Sequence, residues 1–301
     1  MEANAKTSNG PLFKVIPSLI KSKDLEVLTK YSNAELGEDP SSQYFIPRQK
    51  SIAFVAYIDG EFFTLQQNFF IQNAKYNDFS GGYKRFYKTL PDWLIQGSMK
   101  DALKSFVDTY QLPNYACILV QLQKSTIPAF AGMDNGQQSS GVVYQRQTTV
   151  TGQGIHTDGH DRAMLVCIDR QNVSGGSNHL YEDINGAQNV MPGTVLEKGD
   201  SLFFKDNQIY HYVSKAEPKD CAKDMTRTML IAHYPANYFL FGKENPHNQL
   251  LRGEAINKLR FANEEALDLS DDADENVLLL PPKNNFKSCQ ESEMAETPSL
   301  L

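Results

Sequence analysis

The feature that most constrains this chain is a succession of short β-type segments that begins near Tyr115 and runs to Tyr234. Residues 116–123, 141–149, 163–169, 178–182, 194–196, 201–204, 209–213 and 227–234 each read as a strand. Turn signals punctuate them, notably Ser174-Gly175-Gly176 and Lys198-Gly199-Asp200. Repeated short strands at this spacing predict a jelly-roll or cupin-like β-sandwich over about 115–236.

The first third is mixed. Residues 18–36 and 91–110 carry apolar side chains at helical spacing, with Pro91 placed to open the second helix. Residues 52–57 and 62–65 are β-type runs separated by Asp59-Gly60, a hairpin signal. A closing helix is expected over 253–262. With helices flanking the β core the fold class is α+β, a single domain over residues 1–263. Residues 264–301 hold ten acids against two lysines and read as a disordered tail. The tail reads as a solubiliser; it also resembles the acid-rich C-termini by which some bacterial secretion systems recognise effectors, the alternative to a cytoplasmic protein.

The tail's excess of acids more than accounts for the net charge of −7, so the body is nearly neutral and gives no electrostatic reason to expect nucleic acid or an anionic membrane as partner. A small or neutral substrate fits better. No apolar run reaches the roughly 18 residues of a membrane span, and residues 1–23 lack a signal-type apolar stretch. A soluble, unprocessed, cytoplasmic protein is expected, of open oligomeric state. Four cysteines without a CxxC pair point to neither a zinc cluster nor a disulfide scaffold.

Candidate chemistry centres on Gly154-Ile155-His156-Thr157-Asp158-Gly159. On an extended strand, His156 and Asp158 project from one face. His211, 55 residues on and on its own expected strand, supplies a third donor. Two histidines and a carboxylate form a facial triad, which leaves three adjacent iron positions for cosubstrate and dioxygen. The pair alone is a common coincidence among six histidines and 36 acids; the ordered set of pair, Gly-Gly turn, Gly-Asp turn, His211 and then Arg227 is not. Arg227 opens the last strand, expected antiparallel to that of His211. Its guanidinium suits the distal carboxylate of 2-oxoglutarate, and buried it would require an anion.

The order His156-x-Asp158-Gly159, residues 172–176, Asp200, His211-x-Val213 and Arg227 resembles the 2-oxoglutarate and Fe(II) dioxygenase family that includes bacterial free L-amino-acid hydroxylases of the L-isoleucine type. The likeness covers residues 144–234. It implies a double-stranded β-helix fold, with Fe(II), 2-oxoglutarate and O2 as cofactors. The implied reaction is hydroxylation of a C–H bond of a free amino acid or similar small molecule, with release of succinate and CO2. Retention of Asp158 speaks against a halogenase. In the wider superfamily a serine often follows the arginine by two positions; here Met229 stands there, so Thr226, Thr228 or Tyr144 is left to supply the second cosubstrate hydroxyl.

Other residues carry weaker signals. Tyr144, Gln145 and Arg146 precede the metal pair and are candidates for contacting the substrate. His160 also follows Asp158 at a two-residue step, but four strand residues span about 13 Å, too far for both end histidines to share one ion unless the chain turns at Gly159. His233 is in phase with Arg227 and is expected to line the barrel; His179 and His247 are expected at the surface. Two other functions compete: the same chemistry on a protein side chain, and a cupin-like binding protein without turnover. The intact arginine counts against the latter.

Overall fold

Asp59 and Gly60 adopt positive φ, 51° and 90°, closing the tight turn between β2 (Arg48–Ile58) and β3 (Glu61–Leu65). The computed structural model describes residues 10–42, 47–65, 67–70, 72, 76, 83–129, 154–236 and 278–279. Before the hairpin come β1 (Phe13–Ile16) and α1 (Ser22–Ala34). After it come β4 (Phe69–Phe70), β5 (Tyr83–Phe86), β6 (Lys88–Thr89), α2 (Asp92–Gln96) and α3 (Lys100–Tyr110). The β-rich part holds β7 (Ala116–Ile127), β8 (Arg162–Gln171), β9 (Val173–Gly175), β10 (Asn178–Tyr181) and β11 (Asn189–Thr194). It continues with β12 (Ser201–Phe204), β13 (Tyr210–Val213), β14 (Ala216–Pro218) and β15 (Met225–Tyr234), and β16 (Leu278–Leu279) pairs in parallel with β5.

The major sheet runs β1-β12-β8-β15-β7-β2-β3, with β6 beside β2. A smaller sheet, β11-β10-β13, and the β14-β9 pair form the second wall. One face of the major sheet, including Val55, Val120, Leu122, Val166, Leu230 and Ala232, packs on Leu28 of α1 and on Leu103, Phe106 and Val107 of α3. The other face sets Ala163, Cys167, Phe204 and Met229 against Leu180 and Met191 of the smaller sheet. Central strands therefore bury both faces, which is why residues 52–56 of β2 and 116–120 of β7 are unbroken apolar runs rather than alternating. The result is a double-stranded β-helix backed by helices, in line with the expected fold class.

The structure corrects several expectations. The helix expected over 91–110 is two, because Gly97 leaves helical geometry at φ −102°, ψ −106°. A methyl group there would lie 2.7 Å from the Trp93 carbonyl oxygen. The strand expected at 194–196 is instead β11, earlier in the chain and containing Pro192-Gly193, tolerated on the edge of the smaller sheet. Arg227 does not lie on a strand paired with that of His211: β15 pairs β7 and β8, while β13 pairs β10 in the opposite wall. The loop between β13 and β15 crosses from one sheet to the other. Asn172, at φ 55°, pins it by donating its side-chain N–H to the carbonyls of Asp220 and Lys223. The segments 141–149 and 253–262, and 264–301 apart from the two residues of β16, lie outside the described residues.

Candidate metal centre

His156 and His211 are joined by a single antiparallel bridge, with backbone hydrogen bonds of 3.0 and 2.8 Å in the two directions. The expected strand across residues 156–158 is thus reduced to one bridge, after which Gly159, at φ 82°, turns the chain. A buried carboxylate holds that turn: Asp206 accepts the backbone N–H of Asp158 at 3.1 Å and of His160 at 2.9 Å. Asp158 is thereby delivered to the two histidines by a side chain from the β12–β13 connection.

The imidazoles are oriented by their second nitrogens. His156 Nδ1 lies 3.0 Å from the Gly154 carbonyl oxygen, which can only accept, so this nitrogen carries the proton and the Nε2 lone pair is left free. That Nε2 is 3.7 Å from Asp158 Oδ1, and His211 Nε2 is 3.5 Å from Asp158 Oδ2. His211 Nδ1 makes a long contact with Asp206 Oδ1, 3.4 Å. One donor atom from each of His156, Asp158 and His211 lies within 4.8 Å of the others. Electron-rich atoms gathered so closely repel one another unless a cation stands between them, and the two-histidine, one-carboxylate set suits Fe(II).

The electrostatics agree. Burial lowers the His156 pKa, reinforced by His211, so this ring stays neutral. Burial raises that of Asp158, but His211, His233 and His156 outweigh it and hold the carboxyl well below its ordinary range. Burial lowers that of His211, yet Asp158 and Asp206 reverse the shift upward.

A second relay steadies the carboxylate. The Gln121 side-chain amide lies 3.1 Å from His233 Nδ1, and His233 Nε2 lies 3.1 Å from Asp158 Oδ2. The amide nitrogen must donate, so Nδ1 accepts and Nε2–H donates to the carboxylate. His160, buried, stacks on His233 with centroids 4.4 Å apart and bonds the Pro235 carbonyl through Nδ1. His160 therefore packs behind the donor cluster and is outside it. Asp206 and Gln121 had no signal in the sequence: an aspartate after an aromatic strand and a glutamine inside an apolar one are ordinary until topology places them.

Arg227 lies on the same face of β15 as Met229, Ile231 and His233, three two-residue steps from His233. Arg227 is only 5% exposed, and no carboxylate lies within 4 Å of its guanidinium among the described residues. Burial lowers its pKa to about 10, with Cys167 opposing and the neighbouring Arg170 adding to the effect. Such a group calls for an anion. Alternation sends Thr226 and Thr228 to the side of β15 opposite Arg227, whereas Ser125, the register partner of Arg227 on β7, shares its face. Tyr144, Gln145, Arg146 and His247 lie outside the described residues. His179 is half-buried between Tyr181 and Tyr212 rather than free at the surface.

A histidine–carboxylate–histidine cluster inside a double-stranded β-helix, with a buried cation farther along the same barrel, defines the site class of the non-haem iron oxygenases. Residues 139–233, which include all four of these side chains, match the 2OG-Fe dioxygenase family. Solved structures share the fold. A BsmA homologue from Methylobium petroleophilum PM1 is 20% identical with a TM-score of 0.56, over 74% of this chain and 88% of that one. IDO from Bacillus thuringiensis is 15% identical with a TM-score of 0.51, over 74% and 90%. The Fe(II)/α-ketoglutarate-dependent dioxygenase TqaL is 14% identical with a TM-score of 0.51, over 74% and 82%. No protein of curated function matches the sequence significantly. The family match over residues 139–233 and the His-Asp-His site make this an oxygenase enzyme whose cofactors are Fe(II), 2-oxoglutarate and O2. Among the described residues no helix is long and apolar enough to cross a membrane.

Proposed function

We propose that His156, Asp158 and His211 hold Fe(II), that Arg227 binds the distal carboxylate of 2-oxoglutarate, and that the enzyme hydroxylates a C–H bond of a small molecule. A free L-amino acid is the substrate class the sequence resemblance favours. The observation that carries this reading is the convergence of three donors within 4.8 Å in a barrel that also buries an arginine without a carboxylate partner among the described residues. When bound, the metal and cosubstrate supply oxidative decarboxylation to succinate and CO2 coupled to C–H oxidation.

The chain's own work is placement. His156 and His211 present Nε2 because Gly154 and Asp206 occupy their Nδ1 sides. Asp206 and His233 fix the Asp158 carboxylate from its backbone and from Oδ2. Arg227 fixes the far end of the cosubstrate, with Ser125 the nearest hydroxyl position on its face, so that the keto-acid end is aimed at the donors before reaction. Apolar walls from Leu180, Phe204 and Met229 exclude water.

The test is succinate release by the full chain with Fe(II), 2-oxoglutarate and O2 across a panel of L-amino acids. Release stimulated by at least one of them, with a matching product heavier by one oxygen, is expected. Stimulation by none of the panel would overturn the amino-acid reading. Folded protein that binds neither Fe(II) nor 2-oxoglutarate would overturn the assignment of the four residues.

A further inference from the structure

The proposed oxygenase site accounts for one buried cation, Arg227. It leaves a second group of cations on the same concave face. Lys50 lies on β2 in register with Gln123 of β7, which is in register with Met229 of β15. One row along, Arg48 is in register with Ser125, and Ser125 with Arg227. Lys50 shares its face of β2 with Ile52 and Phe54, which pack with Phe69, Tyr87, Leu119 and Ala236 inside the barrel. Two strand spacings and a one-row offset, about 12 Å in all, separate it from Arg227.

Lys50 is 9% exposed, and its ammonium sits over the Tyr87 ring at 5.6 Å. Among the described residues its one carboxylate within 4 Å is Asp39, at 3.7 Å, and the same oxygen is already held by Arg48 Nε at 2.5 Å. Asp39 is fully buried and also accepts the Ser41 backbone N–H. Arg85, 3% exposed, approaches this cluster through Ser41. The Asp39 oxygen nearest Lys50 is thus taken first by Arg48, and the share left for Lys50 at 3.7 Å is small. Burying an ammonium this weakly compensated is costly unless an anion joins it. Burial lowers the Lys50 pKa to about 8, with Asp39 and more weakly Asp158 opposing and Arg48 and Arg85 adding to the effect.

The direction is also informative. Gln123 on the Lys50 row and Gln121 on the next row are both buried and face inward. Gln121 contacts His233, which contacts Asp158. One row of a strand is about 7 Å, so an anion at Lys50 would leave the body of a small molecule lying toward the iron ligands, alongside a cosubstrate anchored at Arg227.

We propose that Lys50, backed by Arg48 and Gln123, is the subsite for a carboxylate of the substrate, so that the enzyme acts on small carboxylic acids whose oxidised carbon lies a few bonds from that carboxylate. This rests on the oxygenase reading for the direction of the molecule, but the anion subsite itself does not need the metal. The lysine acts as a specificity residue: two acids enter side by side, the cosubstrate at Arg227 and the substrate at Lys50.

The experiment titrates the full chain, saturated with 2-oxoglutarate so that Arg227 is occupied, with straight-chain monocarboxylates from acetate to hexanoate and with their primary amides. Heat of binding is the readout, with and without Fe(II). The acids are expected to bind and the amides to bind at least about tenfold more weakly. Lys50→Met should lose the acid preference by a similar factor, Lys50→Arg should retain most of it, and 2-oxoglutarate affinity should change in neither. Equal binding of acids and amides by the unaltered chain overturns the proposal without any variant. So does a Lys50→Met protein that keeps the preference, or one that loses 2-oxoglutarate instead. The visible charge-transfer band of the anaerobic iron–cosubstrate complex is read in parallel: Lys50-dependent acid binding without the band sinks the oxygenase reading alone, and the band without Lys50-dependent binding sinks the subsite alone.

Discussion

Asp206, fully buried, accepts the backbone N–H of Asp158 across 48 residues of sequence, at 3.1 Å. It also accepts from His160 and stands 3.4 Å from His211 Nδ1, so one carboxylate braces both segments that carry the donors. Asp206→Asn keeps the shape and removes the charge. It is expected to weaken Fe(II) or Mn(II) binding by roughly 10- to 100-fold, the usual cost of losing a group that orients metal ligands. Metal titration of the folded variant checks this; unchanged affinity would show that the donors hold themselves in place.

Arg227→Met separates two roles that a buried arginine can have. If the guanidinium is there to bind an anion, removing it should raise the 2-oxoglutarate dissociation constant by at least about tenfold, while the unfolding free energy stays level or rises because an uncompensated buried charge has gone. A loss of several kcal/mol in stability, with cosubstrate affinity intact, would mark Arg227 as structural instead.

The acid limb of stability should report Asp39. Burial raises its pKa, but Arg48 and Lys50, with the Ser41 N–H, outweigh this and bring it from 3.8 to about 2. A depressed carboxyl contributes stability that is complete above its ordinary value and is lost as pH falls toward the folded one. The loss from this group is on the order of 2 kcal/mol and falls between about pH 4 and pH 2. Urea unfolding across that range should show it, and Asp39→Asn, though less stable throughout, should flatten that part of the curve.

Phe203 tests the layering. It is fully buried on the helix side of β12, 6.2 Å from the Phe106 ring of α3. Phe203→Ala should cost about 3 to 5 kcal/mol. Cosubstrate affinity of the folded fraction should be unchanged, since neighbouring Phe204 faces the barrel instead and touches His211. A tight coupling between Phe203 and 2-oxoglutarate binding would contradict the assignment of faces.

The residues that sequence reasoning found are those whose chemistry is rare or whose spacing is strict. The His156-x-Asp158 step, His211 on its own strand and Arg227 at a strand start were legible because few residue types can do what they do there. The helix pair, the Asp59-Gly60 hairpin and most strands of the barrel were legible from periodicity. What escaped depends on which strands become neighbours. Ser125, Gln121, Gln123 and Lys50 sit on strands that read as apolar or amphipathic runs, and only the pairing of β2, β7 and β15 places them on one inner face with Arg227 and His233. Ser125 was missed beside Thr228 for the same reason: adjacency in sequence is opposition across a strand. Strands of two to four residues, such as β4, β6, β9 and β14, carry too few positions for a period to show.

The central claim is that these four side chains form one iron and cosubstrate site, and anaerobic reconstitution of the full chain with Fe(II) and 2-oxoglutarate tests it most directly. A weak visible charge-transfer band is expected that requires both additions, is lost in His211→Ala and is weakened in Arg227→Met. Folded protein that gives no band, or a band indifferent to both substitutions, would contradict it.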